Sequence, residues 1–181
     1  VKSNIGHTQM PSGVASVIGS VENTPTTELA PRTGSSVVVA LESMWAGIRA
    51  NHADLPEVVM VTGSGIAAHP GKPGKWGHFW GHGWTHRDHE HGADEASSTA
   101  RTGEMFIAGE ALAAGADQVL QTMLHEAAHS LARVRNLQDT SRQNRWHNRT
   151  FDRLAEEMGL EYPREAADPS IGFSAVILTR S

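Results

Sequence analysis

The chain of 181 residues contains no cysteine. That excludes a disulfide framework, a thiol nucleophile and any thiolate metal site, and it accords with a reducing compartment. No run of ~18 apolar residues is present to span a bilayer, and residues 14–21 are too short and too interrupted for a secretory core. A cytoplasmic protein with no membrane partner is the expectation. Positive charge is not in excess. Fifteen Lys and Arg against 20 Asp and Glu leave a net charge of -5, so no global field favours nucleic acid or anionic lipid. Gly63-Ser64-Gly65 is not followed by Gly-Lys-Ser/Thr, which removes a phosphate loop. The hydrophobic content of 39% is ample for one globular domain.

The rest of the chain is organised around residues 122–131, Thr-Met-Leu-His-Glu-Ala-Ala-His-Ser-Leu. Val119, Leu120, Met123, Leu124, Ala127, Leu131 and Val134 recur at helical spacing without a proline, which predicts one helix over residues 115–136. Asp117 stands where a carboxylate can cap free amides, and Arg133 and Arg135 stand where cations complement the helix dipole. One turn apart on that helix, His125 and His129 point the same way and can share a metal ion. Glu126 lies beside the first ligand, placed to take a proton from a metal-held water. The helix is apolar around the histidines, and an unpartnered buried imidazole is costly, so a metal answers an energetic need as well as a motif.

A catalytic zinc takes three protein ligands and keeps the fourth position for water. A metzincin would have glycine at 132 and histidine at 135, where this chain has Ala132 and Arg135. Downstream, Phe151, Leu154, Ala155 and Met158 form an apolar stripe with Gly159 as the helix stop, and His147 extends that stripe from the first turn of the second helix. His147 is the preferred third ligand, with Glu156 and Glu157 as alternatives. His-Glu-x-x-His, a short basic loop, then His147, Phe151 and Leu-Ala-Glu-Glu-x-Gly-Leu at 154–160 resemble the SprT-like metallopeptidases. The resemblance extends upstream through residues 104–112 and covers roughly residues 37–178. Many members have His-Gly where this chain has His147-Asn148, and many carry a cysteine-rich zinc ribbon that is absent from these residues. What the resemblance implies is a zinc endopeptidase, with one Zn2+ on His125, His129 and His147 and Glu126 as general base.

Residues 1–18 resemble, over that short span only, the ketosynthase segment that holds a catalytic lysine and histidine, matched here by Lys2 and His7. A ketosynthase needs a far larger fold and a nucleophilic cysteine, so the stretch reads as a leader without that activity. Residues 22–36, rich in Pro, Thr, Gly and Ser, read as a linker. The domains are then a leader and linker over 1–34 and a metallopeptidase domain over 35–181. A helix is expected over residues 36–52, from Val39, Leu41, Met44, Trp45 and Ile48, and strands over 58–62 and 104–107. Residues 171–178 read as a last strand or buried extension.

In residues 76–86 tryptophan and histidine alternate, so a strand would place Trp76, His78, Trp80, His82, Trp84 and His86 on one face. Three readings apply: a second metal site helped by His89 and His91, a substrate-facing strand, or a strand with a half-exposed aromatic face. Arg133, Arg135, Arg142, Arg145 and Arg149, with Arg153, crowd the region between and after the ligands against Asp139 and Asp152. The first five are the candidate contacts for nucleic-acid phosphate, and the plainer reading is a solvated face with local ion pairs. The expected architecture is α+β and zincin-like: a small twisted sheet packed on the His-Glu-x-x-His helix, with a second helix supplying the third ligand. The expected partner is a protein or peptide substrate. A competing expectation is a zinc-stabilised binding module, DNA-associated, that does not catalyse.

Overall fold

A computed structural model describes residues 35–66, 74–85 and 101–179. The leader and linker at 1–34, together with His86, His89 and His91, lie outside the described residues. The second-metal-site reading that drew on His89 and His91 lies outside them too.

The fold is a mixed α+β arrangement with one three-stranded sheet. Helix α1 (Ser36–Asn51) turns Leu41, Trp45 and Ile48 inward at spacings of four and three, as expected, and the Trp45 indole donates to the Pro56 carbonyl at 3.2 Å. Strand β1 (Val58–Gly63) follows, then β2 (Gly77–Thr85) and β3 (Arg101–Ala108). Strand β3 is central, parallel to β1 and antiparallel to β2, so β2 is an edge of the sheet. Period-two alternation sends Met105 and Ile107 of β3 fully into the core, while Glu104 and Phe106 face the other way. The alternating ladder of β2 is not continuous. Its register shifts between Trp80 and Trp84, so His82 meets Arg133 while His78 and Trp84 both reach Glu104. A strand with extra residues opposite one partner bends and loses its strict two-residue period.

Helix α2 (Gly109–Ala114) leads into α3 (Ala116–Val134) across Gly115, whose φ of 109° is open to glycine and strained for other residues. Helix α3 begins without a side-chain cap, so Asp117 serves the first turn through its charge and not through a hydrogen bond. Just past the helix, Asn136 is left-handed at φ 52° and the Leu137 amide donates back to the Ala132 carbonyl at 2.7 Å. Met123, Ala127 and Leu131 of α3 are fully buried among sheet residues, α1 and α4 (Arg149–Glu157). Between α3 and α4 the chain makes a short hairpin of β4 (Thr140–Ser141) and β5 (Trp146–His147). After α4, Gly159 at φ 83° stops the helix, and β6 (Leu160–Glu161) pairs with β7 (Ile177–Leu178). Among the described residues no helix is long and apolar enough to cross a membrane.

The sheet and α3 meet where β2 carries no side chain. At Gly77 a Cβ would lie 2.6 Å from Thr122 Cγ2 and 2.9 Å from the Phe106 carbonyl oxygen, and at Gly81 it would collide with Arg133. Gly77→Ala is therefore expected to push β2 off α3 at a cost of about 1–3 kcal/mol, the usual penalty of overpacking. Urea unfolding should show the lower midpoint, with part of the loss recovered on adding Thr122→Ser, which removes that Cγ2. An unchanged midpoint would mean that β2 does not rest on α3 at this point.

A candidate metal centre on α3

Three imidazoles converge on the cleft side of α3. The ligating nitrogens of His125, His129 and His147 all lie within 4.8 Å of one another, close enough to hold one metal ion. His147 Nε2 and His129 Nε2 are 3.1 Å apart. Two nitrogens bound to one tetrahedral ion at ~2.0–2.1 Å would stand about 3.3 Å apart, so the spacing suits a shared ion. An all-imidazole donor set suits zinc, copper, iron or nickel. Phe151, fully buried in the first turn of α4, supports all three rings at centroid distances of 4.7, 4.9 and 4.4 Å.

His147 does not lie on a helix, contrary to the expectation that a second helix would present it. It is the last residue of β5, one position before the N-cap. The reason is local: the Asn148 side chain accepts from the Thr150 and Phe151 amides at 2.7 and 3.3 Å, which starts α4 at Arg149. The His147 backbone is meanwhile paired on two sides, with Thr140 across the hairpin and with Ile171 and Phe173 through its own N–H and C=O. Neither alternative ligand belongs to the cluster. Glu157 is held by Arg135 at 2.7 Å, and Glu156 is exposed.

The electrostatics follow from crowding. Burial, then the nearby His129 and His147, hold His125 well below its ordinary value. Burial, then His129, bring His147 down to about 4. His129 is also pushed down by burial, but its hydrogen bond to Asp139 and the charges of Glu126 and Asp139 outweigh this and raise it. The His129 Nδ1 to Asp139 Oδ2 distance is 2.5 Å, the carboxylate–histidine pairing that orients a metal-binding imidazole from behind. Burial raises Glu126 against the lowering pull of His129 and of the Phe79 amide, which donates to Oε2 at 2.8 Å.

These groups floor an open cleft of about 1330 Å³, walled by β2 from Gly77 to Gly81, by Thr140 and Asn144 of the hairpin, and by residues 174–176. No protein-family model, curated protein or solved structure matches the chain.

Sequence reasoning assembled His125, Glu126, His129 and His147 but missed three contributors. Asp139 looked like one counter-charge among arginines, the Phe79 amide carries no sequence signal, and Gly172 looked like part of a strand. Gly172 has φ 67°, and a Cβ there would collide with the His147 carbonyl and come within 2.9 Å of its nitrogen. Four of the five arginines make local contacts: Arg135 is clamped between Asp54 and Glu157, Arg149 lies over Phe173 and pairs with Asp152, Arg142 lies over Trp146, and Arg133 faces His82.

Two outcomes test the site. Gly172→Ala should displace His147 and weaken metal affinity about ten- to hundred-fold, the range for losing support behind a ligand. Calorimetric titration of the metal-free protein measures it, and unchanged affinity would detach Gly172 from the site. The second outcome concerns acid. A histidine held below its ordinary value stays neutral in the fold while the unfolded chain takes up a proton, so stability is lost as pH falls. His125 and His147 act in that sense, whereas His129 and Glu126, both raised, act in the opposite one, His129 above pH 6.5 and Glu126 at the acid end. The metal-free protein should lose stability from about pH 6.5 to about pH 4, with roughly 3 kcal/mol from His147 alone. Urea midpoints across that window should fall, and a flat profile would contradict the burial of these rings.

Proposed function

We propose that this chain is a zinc-dependent endopeptidase of the SprT-like kind. The observation that carries the reading is the placing of Glu126, one residue from His125, beside a three-histidine cluster at the floor of an open cleft. The resemblance of residues 37–178 to SprT-like sequences supports it. Zinc, when held by His125, His129 and His147, would supply Lewis acidity to the scissile carbonyl and to the attacking water. The remaining work falls to the chain. Glu126 takes a proton from the water and passes it to the departing amine; its raised pKa and buried carboxylate suit both transfers. The Phe79 amide holds Oε2, which fixes the carboxylate and leaves Oε1 for the water. Asp139 holds His129 with Nε2 turned to the cluster. Phe151 limits water behind the ligands.

A zinc site that serves only structure has four protein ligands and needs no base. Among the described residues the cluster has three, and Glu126 stands beside it. That weighs against a non-catalytic, zinc-stabilised binding module.

Glu126→Gln should leave metal content and fold intact while lowering cleavage of an unstructured polypeptide by ~10²–10⁴, the usual cost of losing a general base. His147→Ala should lower bound zinc as well, because two ligands hold it poorly. Elemental analysis and a peptide-cleavage assay, run with and without DNA, read both. Equal cleavage by the glutamine variant would overturn the mechanism. A zinc-loaded wild type that never cuts would overturn the peptidase reading.

A further inference from the structure

The cleft does not share the chain's excess of negative charge. The chain carries a net charge of -5, but the Lys, Arg, Asp and Glu side chains lining the cleft are Lys75, Arg133, Glu126 and Asp139. Both acids are engaged, Glu126 by the Phe79 amide and Asp139 by His129. Among the described residues neither Lys75 nor Arg133 forms an ion pair with a carboxylate, although the Lys75 charge acts on Glu126, whereas Arg49, Arg135, Arg149 and Arg164 are all ion-paired.

Arg133 is held in place. Its guanidinium faces His82, and it crosses β2 where Gly81 has no side chain to obstruct it. It stands one helical turn beyond His129, on the same face of α3. Lys75 stands two residues before β2 begins. From Lys75 to Gly81 an extended strand covers roughly 20 Å, and Phe79, on the Glu126 carboxylate, lies between them. A chain lying along β2 past Glu126 therefore meets a cation on either side.

We infer that the cleft selects an acidic stretch of polypeptide, with Arg133 and Lys75 as its specificity-determining residues. The inference rests on the peptidase reading for the fate of the bound chain, though not for the binding itself. A polypeptide fits better than a nucleic acid. Strand β2 is a sheet edge whose Trp76 carbonyl already bonds inward to β3, so backbone alternation before the register shift turns the Gly77 amide and carbonyl outward for a partner strand. A phosphate track would need cations in a row, and Arg135 and Arg149 are committed elsewhere.

The test uses the full chain carrying Glu126→Gln, loaded with zinc. Three labelled unstructured peptides of equal length, bearing Glu, Gln or Lys at the same positions, are titrated by fluorescence anisotropy at low and physiological salt. The Glu peptide is expected to bind about tenfold more tightly than the Lys peptide, with Gln between, and the spread should shrink with salt. Adding Lys75→Glu and Arg133→Glu should invert the order. The milder Arg133→Gln should narrow it, and circular dichroism with metal content checks that each variant is folded. Absent binding of the Glu peptide, equal affinities, or an order that survives the double reversal would overturn the inference. So would a single-stranded oligonucleotide that binds the cleft more tightly than the Glu peptide. Cleavage by the protein with Glu126 intact is scored separately: its failure with the charge order preserved counts against the peptidase reading alone.

Discussion

Three imidazoles share one pocket, and that constraint governs the site. Buried rings this close cannot all carry protons, because each charge would lie unscreened beside the others. The fold divides the burden unequally, keeping His125 and His147 neutral and giving the Asp139 carboxylate to His129. Neutral rings leave lone pairs turned toward one point, and a cation there relieves the repulsion between them. His147 Nδ1 is buried without a hydrogen-bond partner among the described residues. That ring is held by its backbone and by Phe151 instead of by a hydrogen bond at the outer nitrogen.

Backbone closeness does much of the positioning. Gly172 lets the chain after Asp168 lie against His147, with hydrogen bonds on both sides of that residue. Gly77 and Gly81 let β2 lie against Thr122, Glu126 and Arg133 of α3. Asn148 performs the equivalent task with a side chain. Its side-chain oxygen caps α4 and its side-chain NH2 donates to the Gln138 carbonyl, while its backbone N–H donates to the Asp139 carbonyl, tying the start of the helix to the loop that carries the carboxylate behind His129. That cap fixes the entry to α4.

How much of this could be read in the sequence depends on range. Helix α3 was legible because its apolar period and its His-Glu-x-x-His spacing are local, and the helix at 36–52 and the strands at 58–62 and 104–107 were legible for the same reason. His147 was legible as a residue but not as part of a strand, since pairing with Thr140 and Gly172 involves partners 7 and 25 positions away. The tryptophan–histidine ladder predicted a strand correctly and one continuous face incorrectly, because no local signal marks the register shift against β3. Arginines could be counted, but their carboxylate partners could not: Arg135 finds Asp54 from 81 positions away. Asp139 is the sharpest case. Ten residues after His129 and preceded by no motif, it becomes significant only once the loop folds back.

An exposed sheet edge is ordinarily a liability, since unpaired amides invite another strand. Here the edge and the site are the same feature. The outward amide of Phe79 is satisfied by Glu126, so the carboxylate proposed as the base also secures β2 to α3. Because a carboxylate has two oxygens, the tasks do not conflict: Oε2 is spent on the strand and Oε1 stays available to the cleft. The arrangement also sets where a bound chain can run. A strand added along β2 would find the Phe79 amide already taken by Glu126 and could pair at Gly77 beside it. An edge interrupted there would leave part of a bound backbone unpaired next to Glu126, where the proposed chemistry needs a free carbonyl.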